Sequence, residues 1–97
     1  MTDSAHLLGL GRDYYLPVYR PRQLILEHGR GSRLWDSEGR EYVDFGGGIA
    51  VCGLGHCDPD LTAALVEQAG KLWHTSNVFY SEPPVRLAQE LVAASRF

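Results

Sequence analysis

The chain has 97 residues, room for one small domain at most, and its 44% hydrophobic, 22% charged and 10% aromatic make-up excludes a disordered or low-complexity segment. A formal net charge of −3 offers no basic field to nucleic-acid phosphates or anionic lipid, so the expected partners are small molecules or protein, not nucleic acid or membrane. No basic, apolar signal opens the sequence, no stretch approaches the roughly 20 apolar residues of a bilayer crossing, and Cys52 and Cys57 are too few for a disulfide scaffold, so a cytoplasmic protein with reduced thiols is expected.

From Asp3 to Tyr15 helical periodicity is twice interrupted by glycine, which predicts a loose helical arm. Tyr14, Tyr15, Leu16, Val18 and Tyr19 follow, bracketed by Pro17 and Pro21, and proline forces extended backbone there. Such an arm lies across another surface or folds back on its own domain. Short apolar runs come next. Leu24, Ile25 and Leu26 precede Gly29 and Gly31; Arg33, Leu34 and Trp35 precede Asp36 to Gly39; Tyr42, Val43 and Phe45 close the series. Both breaks place glycine where a hairpin needs positive φ, so a three-stranded antiparallel meander is predicted, with Leu34, Trp35, Val43 and Phe45 as its packing surface.

Gly46-Gly47-Gly48 and the apolar passage to His56 have neither dinucleotide nor phosphate-loop spacing and read as a close-approach loop. Asp58 then caps a helix with Pro59 and Asp60 in its first turn, running to about Trp73. Ser81 caps a second helix with Glu82, Pro83 and Pro84 in its opening turn and a stripe of Leu87, Ala88, Leu91 and Val92. That helix is still apolar and without a stop signal at Phe97, so the end reads as a cut and not a finish.

Three clusters carry candidate chemistry. Cys52, His56 and Cys57, with His74, lack the paired spacing of a zinc site, and the cysteines read as small buried apolar groups; no metal is expected. Eight of the nine cationic side chains are Arg, so Lys71 is the single lysine, and it reads as a solvent-facing helical residue. The segment Trp73-His74-Thr75-Ser76-Asn77-Val78-Phe79-Tyr80 sets hydrogen-bonding groups beside aromatics between two helices, which suits either a binding loop or an amphipathic connector.

Taken in order, Gly31-Ser32-Arg33-Leu34-Trp35-Asp36, Gly39-Arg40-Glu41-Tyr42-Val43-Asp44-Phe45, Gly47-Gly48-Ile49-Ala50-Val51, Leu54-Gly55-His56-Cys57 and Leu72-Trp73-His74-Thr75-Ser76-Asn77-Val78-Phe79 closely resemble the opening of the class III aminotransferases, nearest to the acetylornithine/succinylornithine branch. The resemblance covers the chain from about Tyr15 onward. It implies an α+β segment of arm, three-stranded antiparallel meander and two helices, taken from the N-terminal part of a fold-type I transferase that is α/β when complete. It divides the chain into an arm (1–22), a small sheet-and-helix segment with substrate-proximal loops (23–80) and the first helix leading to a large coenzyme-binding domain (81–97).

The resemblance further implies pyridoxal 5′-phosphate as cofactor, a homodimer, and transfer of the terminal amino group of N-acetylornithine to 2-oxoglutarate, giving glutamate, in arginine biosynthesis. In that family the phosphate-binding turn, the ring-stacking aromatic, the acid on the pyridine nitrogen, the carboxylate-binding arginine and the Schiff-base lysine follow the matched region. No catalytic or cofactor-binding residue is therefore assigned here, and the chain alone is expected to be inactive. Substrate-binding roles fall to Ile49, Ala50 and Val51 as pocket wall, and to Asn77, Phe79 and Tyr80, reaching the neighbouring subunit's site. Asp58 stands where the branch usually has His and serves as a good cap; Tyr80-Ser81 stands where acetylornithine enzymes often show Thr-Asn, and that second departure leaves succinylornithine, ornithine and 4-aminobutyrate open as substrates. A small interaction module without catalysis is the alternative of another class.

Overall fold

A computed structural model describes residues 3–96. The elements in order are α1 (Ser4–Tyr14), β1 (Leu26–Arg30), β2 (Arg33–Asp36), β3 (Glu41–Val43), the single turn α2 (Gly47–Ala50), α3 (Pro59–Ala69) and α4 (Glu82–Ser95). The backbone forms two compact units divided between Thr62 and Ala63. No described helix is long and apolar enough to cross a membrane.

In the first unit Asp3 caps α1 by accepting a hydrogen bond from the His6 N–H. The helix is anchored to the sheet region by a 2.5 Å bond between the Ser4 and Ser37 hydroxyls. Beyond it the aromatic arm does not fold back: Tyr14 to Leu16, Val18 and Tyr19 are all at least 73% exposed.

The meander is as expected, a three-stranded antiparallel sheet in the order β1-β2-β3. Its turns carry Gly31 and Gly39 at φ 57° and 80°. Its first strand differs from the sequence reading: Leu24 and Ile25 lie before it, and Gly29 sits inside it, paired with Leu34. The reason is steric. A Cβ on Gly29 would lie 2.8 Å from His56 Cβ and Cγ and 2.9 Å from Leu34 Cδ2, so the glycine makes room for a side chain from far along the sequence.

The expected packing surface forms only in half: Leu34 and Trp35 are partly covered, with Trp35 stacked on His28 at 4.9 Å, whereas Val43 and Phe45 are exposed. Among the described residues no apolar side chain is fully buried; the buried residues are Asp36 and Ser37.

Gly31 and His56 form an isolated antiparallel bridge, with Gly31 N–H donating to His56 O at 3.0 Å and His56 N–H to Gly31 O at 2.8 Å. Gly55, at φ 80°, allows this approach, because a Cβ there would lie 2.9 Å from Gly31 Cα and O. Gly55→Ala combines a left-handed alanine with backbone overlap, and in the intact protein it lowers unfolding stability by about 3 kcal/mol, to be read by urea denaturation.

α3 begins as predicted, with the Asp58 carboxylate accepting from Leu61 N–H at 3.0 Å. It ends at Ala69, four residues short of the expected Trp73. Gly70 and Lys71 N–H turn back to Glu67 and Gln68 O, while the Gln68 amide and the Trp73 indole N–H occupy Leu72 O and Ala69 O. Side chains thus satisfy terminal carbonyls that a longer helix would have bonded internally.

In the second unit Ser81 takes the capping position of α4, though its hydroxyl makes no capping bond. At its other end α4 closes at Ser95, and Arg96 adopts φ 59°, ψ 25°, in the left-handed region. Phe97, to which the sequence reading had carried this helix, lies outside the described residues.

Candidate functional site

Two carboxylates organise the first unit, and neither was singled out from sequence. Asp36 is 2% exposed and fully used: Oδ1 accepts from the N–H groups of Glu38 and Arg40 at 2.9 Å each, and Oδ2 accepts from Arg40 Nε and Tyr42 Oη at 2.8 Å each. Burial pushes its pKa up, but the bonds from Arg40, Tyr42 and the two amides outweigh burial and hold it well below the usual carboxylate range. The same contacts raise the Arg40 guanidinium and the Tyr42 phenol. The effect is to lock the β2–β3 turn.

Asp44 does the same for the next turn. Its Oδ1 accepts from Gly46 and Gly47 N–H at 2.9 Å each, and its Oδ2 lies 2.6 Å from His56 Nε2. The Gly47 amide, then the His56 ring, lower its pKa against the opposing pull of burial. An ionised carboxylate only accepts, so the imidazole carries its proton on Nε2 and donates it. Asp44 is also tied to the β1–β2 turn, its N–H donating to Ser32 O at 2.8 Å. The sequence signal for this arrangement was an aspartate two residues before a glycine pair, the spacing of an Asx turn.

What Asp44 holds is α2. Gly47, Gly48, Ile49 and Ala50 have φ values of 54°, 65°, 63° and 61°, a left-handed turn flanked by right-handed Gly46 and Val51. For an L-residue this conformation costs about 1–2 kcal/mol, and a β-branched residue seldom adopts it. The turn presents Ile49 and Val51 to the outside at 94% and 79% exposure. The close-approach loop expected here is therefore a defined, strained turn.

Asn77, Phe79 and Tyr80 belong to the second unit, where they line an open depression of about 520 Å³ together with Trp73, His74 and Thr75. Ser76, at φ 65°, turns the chain before Asn77. Phe79 and Tyr80 are 70% and 96% exposed, apolar surface held out on a loop.

His56 is engaged by Asp44; the cysteines, expected to be buried, are not, Cys57 being exposed and Cys52 partly so; and among the described residues no group of three or more His, Cys, Asp or Glu could hold a metal ion. Lys71 Nζ donates to Glu67 Oε1 at 2.6 Å on the surface, a hydrogen bond that raises its pKa. A coenzyme-anchoring amine needs the opposite, a lowered pKa that frees the lone pair. Lys71, held as a paired surface ammonium, does not fit the part of that amine.

The meander, the capped helices and the aromatic loop belong to one known class of enzyme. Residues 14–96 match the family model for class-III aminotransferases, and the chain belongs to that family. It is 71% identical over 94 residues to the acetylornithine aminotransferase of Xylella fastidiosa strain Temecula1, covering 97% of this chain and 23% of that protein. The acetylornithine/succinyldiaminopimelate aminotransferase of Yersinia pestis is 61% identical over 99 residues, covering 98% and 24%. Among solved structures, the N-acetylornithine aminotransferase from Stenotrophomonas maltophilia K279a matches with a TM-score of 0.82 at 67% identity, over 93% of this chain and 23% of that one. The three-stranded sheet and helices thus match the N-terminal segment of these transferases, as the sequence resemblance implied. The chain spans about a quarter of the length of the relatives it matches.

Proposed function

We propose that the chain is the N-terminal portion of an aminotransferase that moves the terminal amino group of N-acetylornithine to 2-oxoglutarate, within arginine biosynthesis. The observation that carries this reading is the 71% identity to an acetylornithine aminotransferase across 94 residues. In the intact enzyme, a cytoplasmic homodimer, pyridoxal phosphate supplies the electron sink that makes the amino transfer feasible. It is held by residues outside this chain.

The contribution of these residues is to shape and dry the substrate site. Ile49 and Ala50 on α2, with Val51 just after it, form an apolar wall suited to the methylene chain of the donor. Asn77 offers an amide to a polar group of the substrate, while Phe79 and Tyr80 cover apolar surface and exclude water, with the Tyr80 hydroxyl near the acyl end. The reading divides this chain into residues 1–22, 23–80 and 81–97 as arm, small segment and entry to the large domain.

The test is glutamate formation by the intact enzyme from 2-oxoglutarate and, side by side, N-acetylornithine, N-succinylornithine, ornithine and 4-aminobutyrate. A preference for N-acetylornithine of at least about tenfold in kcat/KM is expected, because an unmet polar group in the pocket penalises the wrong donor. Equal rates on all four would overturn the reading. The identity to the Yersinia enzyme favours N-succinyl-diaminopimelate as a second donor, which belongs in the same assay.

A further inference from the structure

We propose that Asp44 and His56 are positioning residues for amino-donor selection: together they hold the left-handed turn α2 in one shape and thereby fix where Ile49 and Val51 stand. The inference rests on the reading that this turn lines the donor pocket, and it assigns a role to two side chains that touch no substrate.

The structural case has three parts. Four consecutive residues take positive φ, and the last two, Ile49 and Ala50, are not glycine, so the turn does not keep this form by local preference. Beyond the turn's own backbone bonds, from Ala50 N–H to Gly46 O and from Val51 and Cys52 N–H to Gly47 O, Asp44 supplies a side-chain restraint, gathering the Gly46 and Gly47 N–H groups on one oxygen and His56 on the other. His56 in turn is fixed by both bridge bonds to Gly31 and by the close fit of its ring base over Gly29. A chain of contacts therefore runs from the sheet through His56 and Asp44 into the turn. Because Ile49 and Val51 are exposed, nothing else among the described residues of their unit buries them in place.

The experiment uses the intact enzyme and reads the ratio of kcat/KM for N-acetylornithine to that for ornithine. A ratio is blind to the fraction of folded protein, so a merely stabilising role leaves it unmoved. Asp44→Ala and His56→Ala are expected to lower it by at least about tenfold, the scale of loss when a site shifts by a fraction of an ångström to an ångström. His56→Gln, whose amide nitrogen can take the place of Nε2, is expected to stay within about threefold of the parent. In the Asp44→Ala background, Ala50→Gly should recover part of the ratio, since glycine adopts the left-handed turn without the penalty.

Should the alanine variants fail to accumulate, Asp44→Asn, which keeps an oxygen towards Gly46 and Gly47 but loses the charge facing His56, is read the same way. Ratios within about twofold of the parent in these variants, with both donors losing turnover in proportion, would overturn the proposal. Failure of the functional reading is separate: the parent would then favour a different donor pair, and the ratio would be taken over that pair.

Discussion

Asp36→Asn in the intact enzyme is expected to lower the thermal midpoint at pH 7 by several degrees and to flatten the acid side of the stability profile. The carboxylate accepts four hydrogen bonds, two from backbone amides and two from Arg40 and Tyr42, and it is nearly inaccessible to water. Asparagine can keep the two amide bonds through its oxygen, but its NH2 then faces Arg40 Nε, donor against donor. Removing one partner of a buried charged network costs more than the network is worth to the fold, because the groups left behind are desolvated without compensation.

The sign of the pH effect follows from the depressed pKa. In the unfolded chain the carboxyl titrates near about 3.9, and in the folded protein it titrates lower. Its stabilisation is therefore fully present above the unfolded value and is lost as pH falls through the folded one. Asp44, also depressed, adds a contribution of the same sign. Calorimetric midpoints of parent and variant at pH 7, 5, 4 and 3 should converge towards the acid end. Parallel curves would show that Asp36 is not ionised in the folded network.

Asn77→Ala should reduce kcat/KM for the preferred donor by about 10- to 100-fold while leaving the melting curve within about a degree, because truncating an exposed loop side chain removes positioning without removing packing. Asn77 is exposed, follows the left-handed Ser76, and lines the depression with Phe79 and Tyr80. Tyr80→Phe isolates the hydroxyl: its loss should alter the preference between acetylated and succinylated donors by about fivefold and leave ornithine unaffected, since a hydroxyl that meets the acyl end discriminates only where an acyl group exists. An Asn77→Ala enzyme with unchanged kinetics would remove this loop from the donor site.

The turn glycines at Gly31 and Gly39, the Asp58 cap and the start of α4 at Glu82 were legible because each is a local matter of backbone chemistry. Membership of the family was legible from an ordered series of motifs, a longer-range signal than any one of them. What sequence hid was set by contacts between separated residues. Gly29 looked like a strand breaker because its partner, the His56 side chain, enters from another segment. The end of α3 at Ala69 depends on where the Gln68 and Trp73 side chains turn. The left-handed form of α2 could not be read from Ile49 and Ala50, which disfavour it, and becomes intelligible only with Asp44 and His56 beside it. The residues proposed for the donor site come from resemblance alone, since neither an exposed isoleucine nor an exposed tyrosine announces a ligand.

The lack of any fully buried apolar side chain among the described residues has a consequence for deuterium uptake. Strand amides are shielded for long times only when opening them requires disrupting a packed interior. The ladder of β1, β2 and β3 has none of its own, so slow exchange at those amides in the intact enzyme would measure cover lent by other parts of the molecule. Peptides from this sheet should then lose their protection at the same denaturant concentration as the element that covers them.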